Sequence, residues 1–206
     1  MENLIPLLLA AVVGFGHAFE ADHLLAVSSI VSKRNNVVLA IKDGIFWGLG
    51  HTSTIVIIGM VIIIGKATFL NGYFSYFEAS VGIMLVILGI TRLYNYWQEN
   101  ESFILTDGRK GHKLAYNVGL VHGLAGSGAM VLLVMSEIDS SFLSILYLLI
   151  FGVGSIIGML LAAGIFTIPL SRKVYSAKSI RLFFTLASSA LCIVYGLKVF
   201  FENVLG

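Results

Sequence analysis

The sequence predicts an all-α integral membrane protein with six transmembrane helices, arranged as two inverted three-helix repeats. Three observations lead to this prediction. Of the 206 residues, 58% are hydrophobic and only 12% are charged, whereas a soluble domain carries roughly 25% charged residues. Six mostly apolar stretches reach the length of about 20 residues that a helix needs to cross a bilayer. One sizeable polar segment, about residues 98–113, divides the chain into two halves of three stretches each.

The predicted membrane helices follow one another with short connections. They cover residues 4–30, 37–64, 73–97, 114–135, 142–170 and 180–199. The whole chain, 1–206, is then a single transmembrane transport domain. Its parts are a first repeat at about 1–97, a polar loop at about 98–113 and a second repeat at about 114–206.

The basic residues predict how the helices are oriented in the membrane. Of the 13 lysines and arginines, all except Lys66 and Lys198 fall on one side of the predicted spans. Positively charged loops of membrane proteins remain on the cytoplasmic side. We therefore expect the loop 98–113 to be cytoplasmic and both chain ends to lie outside the cytoplasm.

Matching glycine and histidine positions indicate that the two halves are related. Gly14-x-x-His17 aligns with Gly119-x-x-His122, and Gly48-x-Gly50-His51 aligns, one residue out of step, with Gly152-x-Gly154-Ser155. Because each half has three spans, the second half would be upside down relative to the first. Inverted repeats that bind substrate near the bilayer midplane are a recurring plan of secondary transporters.

Four ionisable residues occur within the first apolar stretch: His17, Glu20, Asp22 and His23. An ionisable side chain at the bilayer centre costs at least ~2.5–3.5 kcal/mol, so those that are kept usually serve an ion, a proton or a substrate. Successive residues of a helix are turned by about 100°, which places Asp22 away from the other three. Either the helix is broken here and all four converge, or it is regular and Asp22 orients a histidine from a neighbouring helix.

Two further histidines lie in other predicted helices. His51 follows two glycines in the second helix and precedes Thr52, and His122 lies in the fourth helix, where Ser127 belongs to a stretch of small residues. Imidazole nitrogen together with carboxylate oxygen suits divalent nickel, cobalt, zinc or copper. The alternative role for such side chains is hydrogen bonding between helices. Four membrane histidines accompanied by two acids favour an ion or proton site.

Two polar residues outside this group are interpreted as ordinary surface residues. Asp43 follows Lys42 near the predicted cytoplasmic interface, which is typical of an exposed ion pair. His112 lies in the basic segment 98–113 and is expected to be solvated.

The histidine motifs resemble those of a known family. His17-Ala-Phe-Glu-Ala-Asp22-His23 resembles the His-x4-Asp-His signature of the nickel/cobalt transporter family, and Leu49-Gly50-His51-Thr52-Ser53 is similar to its second motif. The six-helix size and residues 121–127 are closer to the short, urease-accessory-type nickel transporters of bacteria. The chain departs from the longer members in having Glu20 where Asp is usual, two fewer helices, and no counterpart of their later acidic motifs.

The resemblance implies a set of metal ligands and a biological setting. His17, Asp22, His23 and His51 would bind and select the metal, the repeat adds His122, and Glu20, Thr52 and Ser127 would support the site or line the pathway. The resemblance further implies a multi-pass protein of the bacterial cytoplasmic membrane. Nickel(II) or cobalt(II) would be the transported ion, with no permanently bound cofactor. A nickel-enzyme maturation system, for urease or hydrogenase, would be the partner, and no nucleic acid is expected.

The expected function is therefore secondary transport that takes up a divalent transition-metal ion. The chain has no Gly-x4-Gly-Lys-Ser/Thr loop, so it is not itself an ATPase, and the membrane potential would drive uptake. Two alternatives remain open: an exporter of a divalent metal or small solute with the same fold, and a metal-binding membrane sensor. No enzymatic activity is expected, because an intramembrane protease built on Ser127 would lack a general base after His122.

Overall fold

Seven helices make up the part of the chain that the computed structural model describes. This part comprises residues 4–31, 34, 36–65, 72–97, 108–138, 140–170 and 178–205, without the side chains of 4–5, 126–137, 168–170 and 178–181. The helices are α1 (Leu4–His17), α2 (Ala21–Val31), α3 (Val37–Gly65), α4 (Phe74–Trp97), α5 (Gly108–Glu137), α6 (Ser141–Leu170) and α7 (Lys178–Leu205).

The helices are long and apolar, as a membrane protein requires. Within the described residues, α3, α4, α6 and α7 can each cross a membrane, and α1 with α2 can form one bent span, which makes up to five. Helix α5 has 30 residues and is about 45 Å long at 1.5 Å per residue, but many of its side chains lie outside the described set. The all-α membrane architecture is thus confirmed, while the number of six spans stays a prediction.

The first predicted helix is broken near its middle. Helix α1 ends at His17 and α2 begins at Ala21, and the two parts are bent by 55°. The backbone N–H of Phe19 donates to the carbonyl of Gly16 at 2.9 Å, and that of Glu20 donates to the carbonyl of His17 at 3.1 Å. These two hydrogen bonds close a turn between α1 and α2. Of the two alternatives that the sequence allowed, a regular and a broken helix, the broken helix is therefore present.

Polar side chains face the interior and many large apolar side chains face outward. Val12, Ile64 and Val194 are each 65% exposed, which suits side chains that contact lipid. Conversely, His51 and Arg92 are buried within the bundle. Because lipid cannot satisfy polar groups, this distribution supports a membrane environment.

Helix α3 occupies the centre of the bundle. It packs most extensively against α5 and α6, while α1 packs against α6 and α4 packs against α7. Two of these crossings require glycine. A Cβ atom on Gly119 would collide with the backbone of Trp47, and one on Gly14 would collide with the backbone of Phe151. Small residues permit such close approach between membrane helices.

The last part of the polar loop predicted at about 98–113 is helical. Helix α5 begins at Gly108, so residues 108–113 belong to this helix; residues 98–107 lie outside the described part. The extra turns carry His112 to the side of α3. Hydropathy alone did not identify these turns because they are basic and their partners lie in another helix.

The expectations for Asp43 and His112 are wrong. Asp43 is 1% exposed and its two carboxylate oxygens lie 2.5 Å from Nε and 2.9 Å from Nη2 of Arg34. His112 is not solvated, because its Nδ1 lies 2.7 Å from Oδ1 of Asp43 and its side chain is only 17% exposed. Lys42, the partner expected for Asp43, is instead exposed. A buried carboxylate needs charged or hydrogen-bonding partners; Arg34 provides the charge and His112 a second polar contact.

Candidate metal centre

The four membrane histidines come together where the break between α1 and α2 meets the middle of α3 and α5. His17 ends α1, His23 lies in the first turn of α2, and His51 and His122 lie near the midpoints of α3 and α5. The ring centroid of His23 is 4.5 Å from that of His17, 5.2 Å from that of His51 and 4.0 Å from that of His122. His23, His51 and His122 are at most 1% exposed. The break between α1 and α2 is what brings His17 and His23 to the same cluster.

Potential ligand atoms form two overlapping groups. One group is His17, His23 and His51, the other is Asp22, His23 and His122, and within each group the ligand atoms all lie within 4.8 Å of one another. His23 belongs to both groups, and its Nε2 lies 3.4 Å from Nε2 of His51. The ligand atoms of each group are therefore close enough to share one ion.

Two carboxylates hold three of the imidazole rings. Oδ1 of Asp22 lies 3.1 Å from Nδ1 of His23, and Oδ2 lies 2.9 Å from Nε2 of His122. Oε1 of Glu20 lies 2.9 Å from Nδ1 of His17. An ionised carboxylate can only accept hydrogen bonds, so each ring donates through that nitrogen. A neutral ring then keeps a lone pair on its other nitrogen, as in histidines that bind metals.

Three buried ring nitrogens have no protein partner within the described residues. This holds for Nε2 of His17, Nδ1 of His51 and Nδ1 of His122. A buried polar atom without a partner costs about 1–3 kcal/mol. Coordination of a divalent transition metal would satisfy such nitrogens, because imidazole is a good ligand for nickel, zinc and copper.

Both sequence alternatives for Asp22 are realised in part. The helix is broken, and Asp22 also contacts His122 from a neighbouring helix at 2.9 Å. Backbone carbonyls at the break were possible ligands, but those of Gly16 and His17 accept the hydrogen bonds of the turn. The carbonyl of Gly14 accepts a hydrogen bond from Ser155 at 3.0 Å. Imidazole nitrogens and carboxylate oxygens are thus the stronger candidate donors.

The three supporting residues named from the sequence have different surroundings. Glu20 is 58% exposed beside His17. The hydroxyl of Thr52 donates to the carbonyl of Gly152 at 3.2 Å, so it joins α3 to α6. The side chain of Ser127 lies outside the described set.

Sequence reasoning missed two aromatic rings next to the histidines. The ring centroid of Trp47 is 5.5 Å from that of His23, and the ring centroid of Phe151 is 5.5 Å from that of His17. Both side chains are fully buried. Trp47 stands one helical turn before His51, and the offset that aligns Gly48 with Gly152 also aligns Trp47 with Phe151. That alignment was the signal that could have found them.

Together, the helices and the cluster define an all-helical membrane protein in which buried histidines, next to the carboxylates of Asp22 and Glu20, could hold a metal ion. The chain is 37% identical over 193 residues to the urease accessory protein UreH of Bacillus sp. (strain TB-90), and the match spans 88% of this chain and 83% of that protein. The chain belongs to the UreH-like nickel/cobalt transporter family, which confirms the resemblance seen in its histidine motifs. No family model matches the chain, and no solved structure matches it.

Proposed function

We propose that the protein is a secondary transporter that takes up nickel(II), with cobalt(II) as a related substrate, across the bacterial cytoplasmic membrane. One observation carries this proposal: ligand nitrogens of His17, His23 and His51 lie within 4.8 Å of one another, where the break between α1 and α2 meets the middle of α3. Asp22 and His122 would complete or orient this ligand set. The relative is a urease accessory protein, which supports delivery of the metal to a nickel-enzyme maturation system.

The proposed transport cycle rests on an inverted repeat of six spans. Under the sequence alignment of the two halves, the crossing of α3 with α5 corresponds to the crossing of α6 with α1. Close glycine contacts agree with this correspondence in two pairs. Gly119 contacts Trp47 as Gly14 contacts Phe151, and Gly50 contacts Tyr116 as Gly154 contacts Ala11. Such agreement is expected if a pseudo-two-fold axis in the membrane plane relates the halves.

Two buried rings are the proposed gates of this cycle. Trp47 precedes His51 by one turn and so lies toward the end of α3 that begins at Val37, where the basic residues are concentrated. Phe151 packs with Ala10 and Ile55 in a separate apolar cluster, toward the opposite end. Rocking of the two halves would move one ring at a time away from the ion and expose the ion alternately to the two sides of the membrane.

The proposed orientation keeps the basic ends of the helices in the cytoplasm and both chain ends outside. Inward movement of a divalent cation is then favoured by the membrane potential. At about 2.3 kcal/mol per charge and 100 mV, two charges gain about 4.6 kcal/mol. That is enough for roughly thousandfold accumulation, since each 1.4 kcal/mol is a factor of ten. No further energy source is required.

Nickel uptake into sealed proteoliposomes with an imposed inside-negative potential tests the proposal. We expect potential-dependent uptake in the wild type and at least a tenfold loss in His17→Ala and His51→Ala. Ser53→Ala is the matched control, because Ser53 lies two residues beyond His51 on another face of α3 and its hydroxyl donates within its own helix to Leu49 at 2.6 Å. Cobalt and zinc competition would rank selectivity.

Three outcomes would contradict nickel uptake. Stoichiometric nickel binding that is lost in His51→Ala, without uptake by the wild type, would indicate a sensor. Neither binding nor uptake would indicate that the histidines only connect helices. Release of preloaded nickel against an inside-negative potential would indicate export.

A further inference from the structure

Helix α2 carries two of the candidate ligands and is too short to fix their position by itself. It has 11 residues, and isolated helices of fewer than about 12–15 residues are only marginally stable. Asp22 and His23 lie in its first turn, and a bend of 55° separates α2 from α1. Contacts with other helices must therefore hold these two ligands in place.

Two side chains from other helices contact the second half of α2. Nη1 of Arg92, in α4, donates to the carbonyl of Ser28 at 3.2 Å. Sγ of Cys192, in α7, lies 3.5 Å from the carbonyl oxygen of Leu25 and 3.5 Å from Oγ of Ser29. Arg92 is 6% exposed and Cys192 is 0% exposed, so these contacts are made inside the bundle.

The contact of Arg92 satisfies the end of α2. The last four carbonyls of an α-helix have no partner within that helix, and the carbonyl of Ser28 is the first of these four in α2. The helix dipole also makes this end negative, which favours a cation there. The end of α2 thus offers the guanidinium both a hydrogen-bond acceptor and a negative potential, and Arg92 and α2 stabilise each other.

Arg92 and Cys192 are themselves held on closely packed helices. Helix α4 packs against α7, and a Cβ atom on Gly82 would lie 2.6 Å from the carbonyl oxygen of Gly196. A Cβ atom on Gly89, about one turn before Arg92, would lie 3.2 Å from Cβ of Cys192. Because the backbones of α4 and α7 approach so closely, the two helices form a firm support for α2.

Helix α2 connects this support to the metal centre. Ser28 follows His23 by five residues, which is about 7.5 Å at 1.5 Å per residue. A helix moves as one body over so short a distance, so a displacement at Ser28 also displaces His23. In the first turn of α2, Oδ2 of Asp22 lies 2.9 Å from Nε2 of His122. The place of α2 therefore determines whether its two ligands meet those of the other helices.

We infer that Arg92 and Cys192 are positioning residues for the metal centre. Through α2 they hold Asp22 and His23 against the ligands of α1, α3 and α5, without contacting the ion themselves. The inference rests on the proposed function, because it requires that nickel binds at this centre. Its test measures binding and does not depend on transport.

Equilibrium dialysis of the full chain in detergent against nickel tests the role of Arg92. We expect nickel binding about tenfold weaker in Arg92→Ala, the effect of losing a residue that orients metal ligands. Arg92→Lys keeps a cation at the end of α2 and should restore the affinity to within about threefold of the wild type. The control Lys198→Ala removes a cation from α7 that is 62% exposed and lies beside Glu202. It should change the affinity by less than about twofold.

Double variants separate positioning from general stabilisation. Asp22→Asn already weakens the contacts of α2 in the centre, so adding Arg92→Ala should cost less than about threefold there, because residues of one network are not additive. In His17→Ala, which changes a ligand of α1, Arg92→Ala should still cost about tenfold. An equal loss in both backgrounds would overturn the inference, as would an unchanged nickel affinity in Arg92→Ala.

The role of Cys192 is tested by two small substitutions. Cys192→Ser keeps a donor for the carbonyl of Leu25 and should bind nickel like the wild type. Cys192→Ala should bind it about fivefold more weakly, a smaller loss than in Arg92→Ala because a thiol is a weak donor. Equal affinities of the two Cys192 variants would overturn the role of this residue. A wild type that binds nickel without transporting it would contradict the proposed function alone, whereas a wild type that binds no nickel would overturn both.

Discussion

Trp47 and Phe151 flank the histidine cluster, each with its ring centroid 5.5 Å from an imidazole ring, Trp47 at His23 and Phe151 at His17. Both side chains are fully buried. Each residue also lies at a helix crossing that requires glycine: the backbone of Trp47 lies against Gly119, and the backbone of Phe151 lies against Gly14. In the proposed transport cycle, an ion released from the cluster along the bundle would pass one of these rings. The two rings should therefore control the rate of ion release.

Removing either ring should accelerate the release of bound nickel. We expect Trp47→Ala and Phe151→Ala each to raise the dissociation rate at least tenfold, measured by transfer of nickel to a chelator in detergent. In sealed proteoliposomes with an impermeant chelator on one side, the two variants should respond to chelator on opposite sides. Phe142→Ala is the control, because Phe142 is 74% exposed. Acceleration from the same side in both variants would contradict two separate gates.

Asp22 should matter more for metal affinity than Glu20. Asp22 holds two imidazole rings, those of His23 and His122, whereas Glu20 holds only His17 and is 58% exposed. Loss of a partner that orients a metal-binding histidine typically costs 10–100-fold in affinity. We expect a loss of about 100-fold in Asp22→Asn and about tenfold in Glu20→Gln, measured by equilibrium dialysis with nickel. Equal losses in the two variants would argue against the orienting role of Asp22.

Two glycines at corresponding helix crossings should tolerate a methyl group equally poorly. Gly14→Ala would bring Cβ onto the backbone of Phe151, and Gly119→Ala would bring it onto the backbone of Trp47. We expect each variant to lose about 1–3 kcal/mol of unfolding free energy, the usual cost of overpacking, measured by denaturant titration in detergent. Gly16→Ala is the control, because nothing described lies within 4 Å of its added Cβ. Full stability of Gly119→Ala would weaken the proposed correspondence.

The buried ion pair of Arg34 and Asp43 should be costly to break and inexpensive to replace. Asp43→Asn leaves the guanidinium of Arg34, which is 0% exposed, without its carboxylate. Removing one partner of a buried pair costs about 3–5 kcal/mol, so the unfolding midpoint should fall clearly. The double variant Arg34→Met/Asp43→Leu should recover most of this stability, because it removes both charges.

An exposed pair provides the reference for that experiment. Lys198 and Glu202 are 3.7 Å apart and more than 60% exposed, and exposed pairs contribute about 0–1 kcal/mol. Glu202→Gln should therefore leave the unfolding midpoint nearly unchanged. A similar loss in Glu202→Gln and Asp43→Asn would show that burial does not determine the cost.

The histidine cluster could be predicted from the sequence because its members are ionisable residues within otherwise apolar stretches. An imidazole or carboxylate inside an apolar stretch is conspicuous, and spacing then limits which residues share a helical face. The break after His17 could not be decided, because both a regular and a broken helix satisfied the spacing. The turn is closed by the backbone hydrogen bonds of Phe19 and Glu20, which the spacing of the polar residues does not reveal.

Contacts between distant residues were beyond the reach of the sequence. Asp43 lies next to Lys42 in the chain, and local reasoning paired the two, whereas the actual partners are Arg34 and His112. His112 was expected in a loop because helix α5 starts with basic residues, which lower its hydropathy. Both errors have one cause. Charged residues in the sequence indicate where the membrane interface lies, but they do not specify which residues of other helices they contact.

The position of Ser155 has a consequence for stoichiometry. The alignment of the two halves places Ser155 of α6 where α3 has His51, and its hydroxyl donates to the carbonyl of Gly14 at 3.0 Å. If a duplication produced the two halves, the second half has a hydroxyl where the first half has an imidazole. This hydroxyl forms a hydrogen bond to a neighbouring helix. Two divalent cations a few ångströms apart in a medium of low dielectric constant would repel each other strongly. Under the proposed transport function, we therefore expect a single ion per chain and per cycle.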